Sequence, residues 1–344
     1  MAARLRGGRH AVRRARMTMP TAVGVDIGGT KIAGGVVGRD GLTGGVRSIA
    51  TDAADGGAAV LARAISLART ILTEASGSPP SSIGVATGGW IDPATGWVRV
   101  ATGLLPGWAG IDLVQGFERE LGLPSVALND VHAMGLAEAR LGAGRSSRVC
   151  LSVAVGTGIG GAITIDGRLV EGANGLAGAV GHIPVKTGGS ICSCGRRGCI
   201  EAAAGGPAIA RSFALCRGRR RGPRPTGADR NEAGLPDVVD GLTSSDEPTR
   251  ECALRATSTA GALLGRVLGG VANTVDPDII VIGGGAAAAL GEPFLAAIRS
   301  AVDEVVLWPT GVPVVAAGFG PDAGVVGAGL AAIDAGPWAT PEPG

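Results

Sequence analysis

Two glycine-rich segments that share one pattern, about half the chain apart, restrict the fold of this sequence more than any other feature. Residues 22–37 contain a β-type run, a glycine turn and a second β-type run, and residues 151–165 repeat that order. Both patterns predict β-hairpins whose turns require glycine dihedrals. A unit that recurs once at half-chain distance predicts two related domains, because a solenoid repeats with several short periods.

Chain length and patterning favour the same division. At about 150 residues per domain, a chain of 344 residues is long enough for two domains, each with its own core. Helical patterns cover residues 58–75, 131–141 and 252–275, and strand patterns cover residues 82–86, 125–128 and 279–282. Strands that alternate with helices predict an α/β fold.

Composition excludes several classes of protein. The chain is 45% hydrophobic and 17% charged with a net charge of only +2, which is typical of a globular protein and gives no sign of nucleic-acid binding. The uncharged run 149–165, which no other run in the chain exceeds in length, is shorter than the roughly 20 apolar residues of a membrane-spanning helix. Residues 17–25 are too short and polar for the core of a signal peptide. We therefore expect a cytoplasmic protein whose basic residues 1–20 form a disordered tail.

One stretch, residues 217–247, breaks the α/β pattern because it is charged and rich in proline, glycine and aspartate. A nucleic-acid patch is one interpretation, but no aromatic residues alternate with its arginines for base stacking. We favour the other interpretation, a solvated loop that joins two helices.

The most specific motif is a histidine followed by three clustered cysteines, which predicts a structural zinc site. Zinc prefers four nitrogen or sulfur ligands in a tetrahedron, and such a closed set leaves no position for a catalytic water. Free thiols, or a disulfide between two of them, are the alternative, although we expect all six cysteines to be reduced in a cytoplasm. The predicted ligands are His182, Cys192, Cys194 and Cys199. The other cysteines are expected to be isolated small apolar residues: Cys150, Cys216 and Cys252.

The turns of the two glycine hairpins predict a site for phosphate groups. Their backbone N–H groups can converge on an anion, and each turn also contains a threonine hydroxyl. The carboxylate that precedes the first turn offers oxygen ligands of the kind that Mg²⁺ requires. Two purely structural hairpins are the alternative. The residues concerned are Asp26, Gly28, Gly29, Thr30 and Lys31 in the first hairpin and Gly156, Thr157 and Gly158 in the second.

A third element, the pair Asn129-Asp130, lies between a predicted strand and a predicted helix. Reactive groups of α/β folds are exposed in such loops at strand ends. Asp130 can accept a proton from a hydroxyl while Asn129 holds a neighbouring hydroxyl. The alternative is that Asn129 or Asp130 only caps the helix, since both residue types are preferred there.

In this order along residues 21–335, these motifs resemble the ROK family of sugar kinases and repressors. The motifs are DIGGTK at 26–31, ND at 129–130, VGTGIGG at 155–161, GH at 181–182 and CSCGRRGCIE at 192–201. The resemblance implies an α/β fold of the actin/hexokinase-like type, which is a duplicated ribonuclease H-like arrangement of two domains with a cleft between them. Residues 21–129 with 321–336 would form the smaller first domain, and 130–320 the larger second domain with the zinc motif.

The resemblance also implies an ATP-dependent kinase that binds a sugar, Mg²⁺ and a structural Zn²⁺, and that forms a homodimer or homotetramer. Asp130 would be the general base for the sugar 6-hydroxyl. The residues implied to line the sugar are Gly88, Asn129, Asp130, Glu201 and His182, the last while it also binds zinc. The turn implied to contact the adenosine is Gly283, Gly284 and Gly285.

One departure from the family pattern concerns the sugar pocket. Kinases of the family usually carry a glutamate three residues before the histidine, and this chain has Ala179 there. A charge-assisted hydrogen bond of roughly 1.5–3 kcal/mol to the sugar is therefore missing. The segment 103–108 also lacks an asparagine that the family often has. We expect an unusual acceptor, such as an amino sugar or a sugar altered at its 2- or 3-position.

Two other functions compete with a kinase. The loss of an acceptor at Ala179 is compatible with a catalytically inactive sugar-binding protein, although Asp130 and both glycine turns are retained. A transcriptional regulator of this family would carry a winged helix-turn-helix domain before the kinase-like part. The segment before Asp26 is short and has no apolar periodicity, so we expect no such module.

Overall fold

A computed structural model describes residues 19–101, 103, 105–221 and 233–336, with the side chains of 219–221 left out. Most of the predicted tail at 1–20 lies outside the described residues, as does the middle of the charged stretch 217–247. None of the helices within the described ranges combines the length and the apolar character that crossing a membrane requires.

The elements alternate between strands and helices along most of the chain. The strands are β1 (Ala22–Ile27), β2 (Lys31–Gly38), β3 (Gly41–Leu42), β4 (Arg47–Ala50), β5 (Ile83–Thr87), β6 (Trp90–Ile91), β7 (Val98–Val100), β8 (Ser125–Asn129), β9 (Val149–Val155), β10 (Ile159–Ile165), β11 (Arg168–Leu169), β12 (Ile279–Gly283) and β13 (Val314–Ala316). The helices are α1 (Gly57–Glu74), α2 (Leu113–Leu121), α3 (Asp130–Leu141), α4 (Ile200–Ala204), α5 (Gly206–Arg221), α6 (Leu235–Leu242), α7 (Glu247–Val275), α8 (Gly285–Leu290), α9 (Glu292–Asp303) and α10 (Ala323–Ala335). Short 3₁₀ turns occupy Ala53–Asp55, Val180–His182 and Gly320–Asp322. The six patterned segments predicted from the sequence are confirmed as α1, α3, α7, β5, β8 and β12.

Two sheets with the same topology form the framework. The first has the strand order β3-β2-β1-β5-β8, with β4 also paired to β2, and the second has the order β11-β10-β9-β12-β13. In the first sheet β1 pairs antiparallel with β2 and parallel with β5, and in the second β9 pairs antiparallel with β10 and parallel with β12. The duplicated α/β fold predicted from the two glycine segments is confirmed.

Each sheet is covered by the helix that follows the last strand of the other sheet. Helix α3, which follows β8, packs on β9 and β10, whereas α10, which follows β13, packs on β1, β2 and β5. The two helices also pack against each other. We call the first sheet with the β6-β7 hairpin, α1, α2 and α10 the first lobe, because Ile91 and Val98 share its core, and the second sheet with α3 to α9 the second lobe. The exchange of helices places the start of α3, and with it Asp130, at the boundary between the lobes.

Glycine allows this close packing of helices. A Cβ on Gly24 or Gly84 in the first sheet would overlap backbone oxygens of α10, and a Cβ on Gly327 of α10 would overlap the backbone of Ala133 in α3. Bare glycine backbones therefore let α10 lie directly on β1 and β5 and against α3. Part of the high glycine content, 62 residues, has this structural cause.

Three expectations from the sequence are wrong, and the first concerns the hairpin turns. None of Gly28, Gly29, Gly156 and Gly158 has a positive φ, so these turns do not use glycine dihedrals. Space is the reason at Gly158, because a Cβ there would lie 2.6 Å from Oε2 of Glu201.

The second error concerns the stretch 217–247, which is not one solvated loop. Helix α5 continues to Arg221, and α6 occupies the end of the stretch. Asp237 accepts a hydrogen bond from the Gly234 N–H (2.7 Å) and so caps the start of α6. The apolar face of α6 packs on the core of the second lobe through Val238, which is fully buried. The apolar side chains of α6 are few and lie among charged residues and prolines, so their pattern did not predict a helix.

The third error concerns Cys216 and Cys252, which are joined by a disulfide and are neither isolated nor reduced. Their Cα atoms lie 5.6 Å apart because α5 packs on α7. This pairing depends on tertiary packing, and the spacing of the two residues in the sequence contains no sign of it. Cys150 is a buried free cysteine, as expected.

Candidate active site

The pair Asn129-Asp130 lies where β8 ends and α3 begins. Asn129 is the N-cap of α3, because its Oδ1 accepts hydrogen bonds from the N–H groups of Val131 (2.9 Å) and His132 (3.4 Å). The capping alternative therefore holds for Asn129. Its Nδ2 also donates to the Gly89 carbonyl (2.9 Å) and so draws the chain after β5 towards the start of α3.

Asp130 is the first residue of α3, and its carboxylate faces the cleft. Its Oδ1 accepts a hydrogen bond from the Val131 N–H (2.9 Å). A Cβ placed on Gly88 would lie 3.7 Å from Asp130 Oδ2, so the structure brings Gly88, Asn129 and Asp130 together. Protein surrounds the carboxylate even though solvent reaches it through the cleft, and this desolvation raises its pKa.

Asp26 and Asp130 line the same cavity of about 570 Å³. Burial and, secondarily, the negative charge of Asp130 raise the pKa of Asp26 from 3.8 to about 7, while Lys31 acts in the opposite direction. The raised pKa indicates that too little positive charge compensates this carboxylate. Gly324 of α10 leaves the space for it, because a Cβ there would overlap the carboxylate. Two carboxylates on one cavity form a site that favours a cation.

The turn Gly283, Gly284 and Gly285 between β12 and α8 also lines this cavity. Gly284 has φ +88°, and a Cβ on it would lie 2.5 Å from the Val155 carbonyl oxygen, so this position requires glycine. Gly285 also lines a second cavity of about 580 Å³, together with Gly156 and Thr157 of the second hairpin. The turn therefore connects the space at the two carboxylates with the space at the second hairpin.

The remaining residues of the first hairpin turn do not line either cavity. Gly28 N–H donates to the Lys31 carbonyl (3.0 Å), and the Gly28 carbonyl accepts from the Thr51 hydroxyl (2.7 Å), which fixes the turn. The side chains of Thr30 and Lys31 are exposed. Of the residues predicted to hold phosphate in this hairpin, Gly28, Gly29, Thr30 and Lys31, the structure brings none onto the cavities that Asp26 and the second hairpin line.

The structure brings the four predicted metal ligands together. One donor atom from each of His182, Cys192, Cys194 and Cys199 lies within 4.8 Å of all the others. His182 Nδ1 is 3.5 Å from the Cys192 sulfur, and the sulfurs of Cys194 and Cys199 are 3.8 Å apart. All three cysteines are free, so the disulfide alternative does not hold. Three thiols and an imidazole at these separations fit a tetrahedral zinc ion.

Glu201 connects this cluster with the second glycine turn. Its Oε2 accepts a hydrogen bond from the Ile159 N–H (3.0 Å), directly after the turn. Its Oε1 accepts from the sulfur of Cys192 (3.1 Å) and from the hydroxyl of Ser193 (2.5 Å). Burial first of all, with a contribution from Glu201, raises the pKa of the Cys192 thiol to about 12. A metal that binds here must therefore displace a proton.

Two functional candidates on α3 were missed by sequence reasoning. His132 is buried, and its Nε2 lies 3.0 Å from the Ala177 carbonyl oxygen; burial lowers its pKa. Glu138 is fully buried and accepts hydrogen bonds from the backbone N–H groups of Ala143, Gly318 and Phe319 (2.9, 3.0 and 2.9 Å). It thus ties α3 to the chain just before α10. The available signal was a histidine and a glutamate within an otherwise apolar helix.

Known proteins resemble this chain in sequence and in architecture. Residues 22–335 match the ROK family. The chain is 32% identical to a glucokinase of Halalkalibacterium halodurans over 312 residues, covering 89% of this chain and 93% of the relative. It is 29% identical to an N-acetylmannosamine kinase of Escherichia coli over 315 residues, covering 91% and 98%.

A solved structure with the same fold is a ROK family glucokinase from Streptomyces griseus in complex with glucose and AMPPNP. It superimposes with a TM-score of 0.75 at 29% identity, covering 91% of this chain and 99% of that one. Two α/β lobes with exchanged helices define a protein of the actin/hexokinase-like fold. The chain belongs to the ROK family.

Proposed function

We propose that this sugar kinase of the ROK family transfers the γ-phosphoryl group of ATP to the 6-hydroxyl of a hexose or an amino-hexose. The observation that carries the proposal is the position of the Asp130 carboxylate. It lies at the start of α3, at the boundary between the lobes and on the same cavity as Asp26. A base that faces a second acidic group across a cleft fits transfer of phosphoryl to an alcohol.

Asp130 acts as the general base. Desolvation raises its pKa, which strengthens it as a proton acceptor for the sugar hydroxyl. The Val131 N–H holds one carboxylate oxygen, and the other faces the bare backbone of Gly88, where an alcohol can approach. Asn129 fixes the start of the helix by capping it. The proton of the 6-hydroxyl moves to Asp130 as that oxygen attacks the γ-phosphorus and ADP leaves.

The nucleotide lies along the turn Gly283–Gly285, with its phosphates between the two hairpins. The N–H groups of the glycine turns, with Thr30, Lys31 and Thr157, bind phosphate oxygens when the lobes close over the substrates. The uncompensated charge of Asp26 fits Mg²⁺, and the bound ion would neutralise charge on the β- and γ-phosphoryl oxygens. Closure of the lobes excludes water from the reacting groups.

His182, Cys192, Cys194 and Cys199 would hold a structural Zn²⁺, which would crosslink the segment from the 3₁₀ turn to the start of α4. That crosslink would fix His182 and Glu201 near the second hairpin, where Glu201 Oε2 accepts the Ile159 N–H. Metal analysis that finds far less than one zinc per chain contradicts this assignment.

The sugar pocket accommodates an amino-hexose or N-acetylated hexosamine because position 179 carries alanine. Ala179 offers only an exposed methyl group, and its N–H and carbonyl are both used, bonded to Leu176 (3.2 Å) and His182 (3.1 Å). This position therefore has no carboxylate that could accept a hydrogen bond from a sugar hydroxyl. The relatives include both a glucokinase and an N-acetylmannosamine kinase, which supports a hexose-type acceptor.

The deciding experiment measures ADP release with glucose, mannose, N-acetylated hexosamines and 2- or 3-amino-hexoses. We expect turnover with at least one of them, and a loss of about 10²–10⁴-fold in kcat in the Asp130→Asn variant. No turnover with any sugar, or unchanged turnover in that variant, defeats the mechanism. If the wild type binds a sugar but never releases ADP, the chain is a sugar-binding protein without catalysis.

A further inference from the structure

A loop of the second lobe contacts both the first lobe and the first turn of α3. We call residues 170–179, between β11 and the 3₁₀ turn that ends at His182, the bridging loop. A Cβ on Gly175 (φ +70°) would lie 2.9 Å from the Ile91 carbonyl oxygen in β6 of the first lobe. A Cβ on Gly178 (φ +83°) would lie 2.6 Å from the Gly161 carbonyl oxygen in β10. The loop is thus in close contact with both lobes, and it ends at Ala179.

Two ring N–H groups hold the bridging loop by its backbone carbonyls. The indole Nε1 of Trp90 donates to the Asn174 carbonyl (2.6 Å), and the imidazole Nε2 of His132 lies 3.0 Å from the Ala177 carbonyl. A carbonyl oxygen only accepts hydrogen bonds, so the proton of His132 must be on Nε2. Both rings are therefore donors to one loop.

Both donors are connected to the catalytic group by short covalent and hydrogen-bonded paths. His132 lies two residues after Asp130 in the first turn of α3. Trp90 directly follows Gly89, whose carbonyl is bound by the side chain of Asn129. The bridging loop and the Asp130 carboxylate are therefore both held by the segment around Trp90 and by the first turn of α3.

We propose that Trp90 and His132 are positioning residues that set the distance between the sugar-pocket wall at Ala179 and the base Asp130. This inference rests on the proposed sugar kinase function. Because the side chain of Ala179 supplies no acceptor and its backbone groups are already hydrogen-bonded, this part of the pocket contributes only its shape. The affinity for the sugar then depends on how firmly the loop is held, whereas the affinity for ATP does not.

The test compares Trp90→Phe with Trp97→Phe. Each change removes one indole N–H, but Trp97 Nε1 donates to Asp112 (2.7 Å) within the first lobe and not to the bridging loop. With the best acceptor of the sugar panel, we expect Trp90→Phe to raise the sugar KM about threefold to tenfold. We expect its kcat within about twofold of wild type and its KM for ATP unchanged. Equal sugar KM values in the two variants, or a parallel rise in the KM for ATP, overturn the proposal.

His132 is tested by a pair of variants because its replacement also changes the core. Gln carries an N–H donor at a similar reach, so His132→Gln should keep the sugar KM closer to wild type than His132→Leu does. Thermal unfolding of both variants separates loss of folding from loss of the donor. Equal KM values in two folded variants count against the role of His132.

Hydrogen exchange provides a measurement that does not depend on activity. In the unliganded protein, Trp90→Phe should accelerate amide exchange in peptides from the bridging loop and leave β9 and β10 at the wild-type rate. Trp97→Phe should leave both unchanged. If no sugar is phosphorylated but exchange in the bridging loop accelerates as expected, the proposed function is wrong and the role of Trp90 in holding the loop is retained. If turnover is normal and exchange in the loop does not accelerate, only the role of Trp90 is wrong.

Discussion

The two glycine hairpins occupy equivalent places in the two sheets but differ in charge. In the first hairpin, Asp26 and Lys31 lie on either side of the turn, whereas the residues at the equivalent places in the second hairpin are the uncharged Ala154 and Gly158. Conversely, the disulfide and the Cys/His cluster of the described chain both lie in the second lobe. The two copies of the framework thus differ: the first lobe has a buried carboxylate next to its turn, and the second has a disulfide and a cluster of possible metal ligands.

This difference has opposite consequences for stability. A carboxylate whose pKa is raised by burial costs free energy whenever it is ionised. A disulfide or a structural metal adds stability without contributing charge to the cleft. The comparison predicts that changes in the second lobe's cross-links alter stability, and that changes in the first lobe's charge alter the response to pH.

Removal of the disulfide should have the largest effect on stability at any one pH between 4 and 6. In a chain-entropy view, a cross-link between residues 36 apart contributes about 3–4 kcal/mol. We expect the double variant Cys216→Ala with Cys252→Ala to lose about that much free energy of unfolding in urea, with kcat within about twofold of wild type. Reducing agent should bring the wild type to the level of the variant and leave the variant itself unchanged. A wild-type midpoint that does not respond to reduction would contradict the comparison.

A carboxylate added to the second lobe at the sugar pocket should raise the affinity for the sugar. Ala179→Glu adds a carboxylate at the position where the family pattern implies one, and a charge-assisted hydrogen bond of about 1.5–3 kcal/mol corresponds to a KM for glucose about 10- to 100-fold lower. Ala173→Glu is the matched control, because it places the same charge at another exposed position of the bridging loop. Similar KM values for the two variants would show that position 179 does not face the sugar.

Local patterns predicted most of the framework. The hairpins, α1, α3, α7 and the strands β5, β8 and β12 were found because their apolar periodicity lies within one element. Helix α6 was missed because its apolar residues are few and lie beside charges and prolines. The disulfide was missed because it depends on how α5 packs against α7, and a sequence does not specify such a distance.

The parts of the candidate site that could be predicted are those whose residues lie close together in the sequence. Adjacent residues such as Asn129 and Asp130, and a compact motif such as Cys192 to Cys199, form their arrangement within one segment. The contacts of His132 with the bridging loop, and of Glu138 with the chain before α10, join residues far apart in the sequence. These contacts form because α3 packs between the two sheets, which the sequence alone does not show.

The buried charge of the first lobe should be visible in the pH dependence of stability. Asp26 has a pKa of about 7 in the folded protein and 3.8 as its ordinary value. Between these pH values the folded chain keeps a proton that the unfolded chain has released, so stability falls as pH rises, by up to about 1.4 kcal/mol per pH unit from this group. Asp26→Asn removes that contribution, while Asp130 still contributes a fall of the same sign.

We therefore expect the Asp26→Asn variant to lose stability less steeply than the wild type between pH 4 and 7, without nucleotide or Mg²⁺. The two proteins should have similar stability at pH 4, where the side chain at position 26 is uncharged in both folded proteins. At pH 8 the variant should be the more stable. Urea midpoints across this range provide the measurement, and Asp40→Asn, on the exposed turn between β2 and β3, provides a control whose curve should parallel the wild type. A variant that is less stable than the wild type at pH 8 would mean that the ionised Asp26 is compensated within the protein, and the contrast in charge between the two hairpins would then carry no cost in stability.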